Sequence, residues 1–159
     1  MVSSAFTLNT EARSSTLTYV IGAVTRNLVY TGGRVTLPAI TVPHTFSLAD
    51  FTWLHSEVRW WLTVVSDVLD PPVLQAAVTT AAFTVGAYHA PSQTYAVSLV
   101  LGFRTVGDGT EVLLTYSQLQ GTVTLASRPA SVIAWTSLEA VNEYVAQLVL
   151  AANTGKRFE

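Results

Sequence analysis

The chain is 159 residues long, enough for one domain that buries most of the surface its unfolded form exposes. Its charged residues make up only 11% of the total, against about 25% in ordinary soluble domains. Eight Lys and Arg nearly balance ten Asp and Glu, which excludes a whole-molecule field for nucleic acid or an anionic bilayer, and the absence of cysteine excludes disulfides and thiolate metal sites.

The N-terminus, Met1-Val-Ser-Ser-Ala-Phe-Thr-Leu, has neither the basic nor the apolar region of a secretory signal, so synthesis in the cytoplasm is expected. Residues 1–14 are expected to form a flexible arm on a single domain spanning 1–159. Valine and threonine occur 22 times each, a β-branched load that favours strands throughout. Ser15 to Tyr30 reads as a strand pair or one long bent strand, and Thr31-Gly-Gly-Arg34 as a turn. Arg34 to Val42 is a further strand, which Pro38 places at an edge or a kink. Ser47-Leu-Ala-Asp50 opens a short helix near 47–56, with Ser47 as cap and Leu48, Phe51 and Leu54 at helical spacing.

Val58 to Val68 alternates as a buried strand would, and Leu69-Asp-Pro-Pro72 stops it. From Pro71 to Phe103 no side chain is ionised. No run there reaches the roughly 20 apolar residues of a membrane span. The interval reads instead as strands over 76–87 and 95–103, joined through Tyr88-His-Ala-Pro-Ser-Gln-Thr94, with Thr, Ser and Ala on their outer faces. Such faces are usually hidden against a neighbour. Gly107-Asp-Gly109 marks a hairpin into a strand at Glu111 to Ser117. Strands follow at Gly121 to Leu125 and Ser131 to Trp135. In the last segment Thr136-Ser-Leu-Glu139 fits a capping box, and Leu138, Val141, Val145 and Leu148 share one helical stripe. A final buried strand over 144–152 is the alternative.

Chemistry is sparsely announced. His44, His55 and His89 are scattered without metal-ligand spacing, and the functional role left to them is a pH-responsive contact. Asp67 and Asp70 stand beside Pro71-Pro72, where Asp normally forms turns. Ser66 and Ser92 lack the glycine elbow of a nucleophile. No enzyme, metal site, cofactor, membrane partner or small-molecule substrate is expected. Trp53, Trp60 and Trp61 cluster with Phe51 around His55 and Arg59, as a core anchor, a subunit contact or an aromatic ligand platform. Adjacent strand residues face opposite ways, so at least one of Trp60 and Trp61 is expected outside the subunit core. Trp53, Arg59, Trp60, Trp61, Tyr88 and Tyr95 are the candidate interface residues. Arg13, Arg26, Arg34, Lys156 and Arg157 are the candidate contacts to RNA phosphates, weak in each subunit and multiplied by copies.

The chain resembles coat proteins of small icosahedral RNA viruses. Arg34-Val-Thr-Leu followed by Phe51-Thr-Trp-Leu-His-Ser-Glu-Val, the Asp70-Pro71 joint, Tyr88-His-Ala-Pro-Ser and Arg128-Pro-Ala-Ser-Val-Ile-Ala-Trp are similar to segments of tymovirus-type jelly-roll coats. A second class competes. Phe83 to Leu101, then Val112-Leu-Leu-Thr-Tyr and Gly121-Thr-Val-Thr-Leu before a terminal helix, is similar to single-stranded RNA phage coats, which build one antiparallel sheet and pack C-terminal helices across a partner. Either resemblance implies a mainly-β capsid subunit that assembles in the host cytoplasm into a shell of many copies around viral RNA. A β-sandwich binding module using the tryptophans is the alternative.

Overall fold

The computed structural model describes residues 2–72, 78–89, 94–103, 110–117 and 120–154, with side chains for 2–72, 114–117 and 120–153. In these residues the protein is mainly β, with two antiparallel five-stranded sheets and two helices, one of them C-terminal. The first sheet contains β1 (Val2–Asn9), β2 (Ser14–Ile21), β3 (Val24–Thr31), β4 (Arg34–Leu37) and β10 (Ser131–Ala134), in that spatial order. The second runs β5 (His44–Ser47), β9 (Thr122–Leu125), β8 (Thr110–Ser117), β7 (Thr94–Phe103) and β6 (Val78–His89). Helix α1 (Leu48–Leu69) links the sheets, and α2 (Trp135–Thr154) closes the described chain. A jelly roll sends successive strands to alternate sheets. Here β1 to β4 run side by side in one sheet and β6 to β9 in the other, so the expected jelly-roll order is not what joins these strands.

One long ribbon connects the two sheets. Arg34 pairs with Ala134 and Leu37 with Ser131. Three residues further along both strands, Ile40 and Arg128 exchange two backbone hydrogen bonds of 2.9 Å each. Pairing resumes at His44 and Leu125, which is four residues on along one strand and three along the other. The extra residue falls in Thr41-Val-Pro43, so the ribbon bulges and bends there. Because β3 flanks this ribbon on one side and β8 on the other, the two sheets form one continuous, kinked surface.

The turn into the ribbon needs glycine. Gly32 and Gly33 have φ of 58° and 80°, the pair of positive values that a tight hairpin between twisted strands requires. The Gly33 carbonyl accepts from Trp135 N at 2.8 Å, so the same turn receives the start of α2. Residues 2–9, expected within a flexible arm, instead pair along their whole length with β2, from Val2 opposite Ile21 to Asn9 opposite Ser14. Val2 and Phe6 explain this, since both lie on the inner face and pack against the core.

Helix α1 corrects a second expectation. It does not end near residue 56 but runs on through 58–68, where alternation predicts a strand. Alternation and helical period both fit that segment. The helical stripe wins because Phe51, Leu54, Trp61, Leu62, Val65 and Leu69 all reach the core together. Ser47 caps the start, its Oγ accepting from Asp50 N at 3.1 Å. Asp70 ends it with a left-handed φ of 46°, before two prolines that cannot continue a helix. The final segment is the helical alternative. It begins at Trp135, directly after β10, so Thr136 lies inside the first turn and is not its cap.

Both helices pack on the concave side of the kinked sheet, in contact with β2, β5, β9, β10 and each other. Two apolar clusters result. One joins Tyr19, Ile21, Phe46 and Tyr116 to Phe51 and Leu54 of α1 and Val141, Val145 and Leu148 of α2. The other joins Leu17, Tyr30 and Val35 to Trp61, Val65, Trp135 and Leu138. The hairpin signal at Gly107-Asp-Gly109 and the Ala90–Gln93 joint lie outside the described residues, although β7 and β8 pair on either side of the former.

Candidate interaction surfaces

In a helix, adjacent side chains point about 100° apart, and this separates the paired tryptophans. Trp61 is 0% exposed, with its Nε1 donating to Ser15 Oγ at 2.8 Å and its ring edge-on to Trp135 at 5.6 Å. Trp60 is 59% exposed. Trp53 is half-buried against the first cluster. Of the three expected interface tryptophans, Trp61 is therefore core and Trp60 is surface. One indole does lie outside the subunit core, for a helical reason in place of the expected alternation across a sheet. Tyr88 and Tyr95 face each other across β6 and β7 by backbone register, and their side chains lie outside the described residues.

The convex face of the first sheet follows from its register. Inner positions are filled by Leu17, Tyr19, Leu28, Tyr30 and Val35, so their neighbours along each strand face outward. These outer residues are Ser3, Ala5 and Thr7 on β1, Thr16, Thr18 and Val20 on β2, and Thr25, Asn27 and Val29 on β3. Thr36 and Val132 continue the row on β4 and β10. Val132 is 58% exposed. Arg34 is the one ionisable side chain of these strands that faces this side. Thr18 Oγ1 donates to Asn27 Oδ1 at 2.7 Å, so part of the row is locked into the sheet's own hydrogen bonds.

Edges matter as much as faces. β1 borders the first sheet and β6 the second. Neither strand contains Lys, Glu, Asp, Arg or Pro, the residues that usually guard an open strand edge against pairing. β1 is also free of bulges along its eight paired residues.

Of the five expected RNA contacts, the three among the described residues do not converge. Arg13 sits in the β1–β2 turn with φ of 52°. Arg34 faces outward, whereas Arg26 lies opposite Tyr19 and shares its inner face. Lys156 and Arg157 lie outside the described residues. Arg26 instead builds a seam between the sheets. Its Nη1 is 3.1 Å from His44 Nδ1, which must accept and therefore carry no proton, and its charge lies across the strand pair from the Tyr19 hydroxyl. The His44 ring is tilted against Phe46 with ring centres 4.0 Å apart, and burial followed by the Arg26 charge pushes its pKa below the ordinary histidine value. Burial raises the Tyr19 phenol despite Arg26 and Arg128 beside it. Sequence reasoning missed this seam, because nothing local links residues 19, 26, 44 and 128.

Charges collect between the helices. Arg59, Asp67, Glu139 and Glu143 line a polar groove of about 330 Å³ along α1 and α2. His55 sits nearby, its pKa lowered by burial and then by Arg59, with Glu143 acting in the opposite direction. Among the described residues no three His, Cys, Asp or Glu side chains converge as metal ligands, and no helix is long and apolar enough to cross a membrane. No family model, curated protein or solved structure matches this chain.

Proposed function

We propose that this protein is a structural subunit whose copies assemble into a closed shell, a viral capsid protein enclosing RNA. The observation that carries the reading is the convex face of the first sheet, a row of Ser, Thr, Asn, Ala and Val side chains with Arg34 as its single ionisable group. A solitary soluble domain normally mixes both signs of charge into such a face. Copies covering one another remove that need, at roughly 25 cal/mol for each Å² of apolar area taken from water. Edge strands β1 and β6, which lack guarding residues, offer backbone donors and acceptors to a neighbour in the same way. Symmetry lets modest contacts accumulate, so none must be strong alone.

Within the coat-protein reading, the consecutive strand order and the C-terminal helix favour the phage type over the jelly roll. RNA contact is secondary in this proposal, since the basic residues are few and Arg13, Arg26 and Arg34 face different ways. The binding-module alternative needs a shared tryptophan platform, and burial of Trp61 removes one member from it. Light scattering and negative-stain microscopy of the purified protein test the proposal. Megadalton closed particles are expected, and a monodisperse monomer at high concentration overturns it.

A further inference from the structure

Residues of both apolar clusters line one pocket between the ribbon and the helices. It is a chamber of about 140 Å³, open to solvent on one side and bounded by Tyr19 and Leu28 of the first sheet, Leu54 and Val58 of α1, and Val141 and Val145 of α2.

The chamber has a polar end. Arg128, beside the Ile40 bridge, lines it together with Asn142 and His55, and Tyr19 brings its hydroxyl close to the guanidinium charges of Arg26 and Arg128. Arg128 Nη1 donates to Ser131 Oγ at 3.0 Å, which fixes the guanidinium against the wall. The remaining walls are aliphatic and aromatic. An apolar cavity with a few convergent polar groups is the usual form of a small-molecule site. Cavities of about 150 Å³ lined by Leu, Ile and Phe accept benzene.

We propose that this chamber binds a small apolar acid, a benzene-sized body carrying one carboxylate. The body occupies the space among Leu54, Val58, Val141 and Val145, and the carboxylate meets the Arg128 end. Size limits the body to a single ring or a short branched chain. The fixed guanidinium selects an acceptor and rejects a cation of the same shape. Occupation would tie α1 and α2 to the ribbon at the point where the two sheets meet.

Equilibrium dialysis against benzoate tests this, and it reads uptake equally well from a monomer or a particle, so its failure is separate from failure of the shell proposal. One saturable benzoate per chain is expected, with benzylamine at least ten-fold weaker and benzyl alcohol between them. Val145→Phe, which fills the chamber, should abolish uptake, and Arg128→Gln should weaken benzoate while leaving benzyl alcohol unchanged. Absence of saturable uptake, benzylamine binding as well as benzoate, or benzoate uptake surviving in folded Val145→Phe would each overturn the proposal. Should either variant fail to fold, the ranking of the three probes on the natural protein still decides it.

Discussion

The two sides of this molecule treat charge in opposite ways. The helical side carries Asp50, Glu57 and Asp67 on α1 and Glu139 and Glu143 on α2, five of the chain's ten carboxylates. The convex side of the first sheet carries Arg34 alone. Ionised groups belong where water remains, because removing them from water without a partner is costly. The helical groove is therefore built to stay wet, and the threonine-lined sheet tolerates being covered. Burial within one subunit does not account for the difference, since both sides are outside the core.

The hardest way to break this contrast is through the adjacent tryptophans. Trp61→Ala removes a fully buried indole, its edge-on contact with Trp135 and its hydrogen bond to Ser15. A loss of about 3–5 kcal/mol in denaturant unfolding is expected, the range for large aromatic truncations. Trp60→Ala, one residue away, should change unfolding by no more than about 0.5 kcal/mol, as exposed substitutions do. Equal effects at the two positions would mean that α1 is rotated so that Trp60 and Trp61 share the core.

How far could such contrasts be seen in the sequence? Most strands could, because turn residues and β-branched runs act locally. Gly32-Gly33, Gly121 and the Pro-marked joints bracket them directly. The second half of α1 could not. Val58, Trp60, Leu62 and Val64 satisfy a two-residue period as well as Trp61 and Val65 satisfy a helical one, and only tertiary burial chooses between them. The terminal helix was legible from its stripe, although its start was not, since β10 runs into it without a separate cap. The ribbon was beyond reach for a different reason. Its partners, 34–47 and 122–134, are far apart in the chain, and register between distant strands leaves no local mark. The seam of Tyr19, Arg26 and His44 and the chamber beside Arg128 are consequences of that register, so they were hidden with it.

The cap of α1 sharpens the comparison at an intermediate scale. Ser47→Ala deletes the acceptor for Asp50 N, and a loss of about 1 kcal/mol in thermal or denaturant unfolding is expected. Ser47→Asp should retain most of that stability. If Ser47→Ala loses nothing, the side-chain cap contributes nothing and the hydrogen bond of Leu48 N to Gly121 O holds the helix start by itself.

On the helical side, acid should act through His55. Its folded pKa lies below 6.5, the ordinary value, because burial and Arg59 disfavour the imidazolium more than Glu143 favours it. Above 6.5 both folded and unfolded forms are neutral and the contribution is fully present. As pH falls through 6.5 the unfolded chain takes the proton first, so stability declines until the lowered folded pKa is reached. Unfolding measured from pH 7.5 to 5 should show this decline, and His55→Gln should flatten it. A slope that is unchanged in the variant would assign the decline to His44, which is shifted in the same direction beside Arg26.

The smallest effect on folding is expected on the convex sheet, where the largest effect on assembly should appear. Thr36 is exposed on β4, between Val29 and Val132 in the outer row. Thr36→Lys places an ammonium there with water on all sides in the isolated subunit, so unfolding should shift by no more than about 0.5 kcal/mol. In an assembly that covers this face the same ammonium would be buried without a partner, and particles should fail to form at concentrations where the natural protein assembles. Sedimentation velocity separates the outcomes. A folded variant that sediments as intact particles would show the face to be wet in the assembly, and the charge contrast between the two sides would then need another explanation.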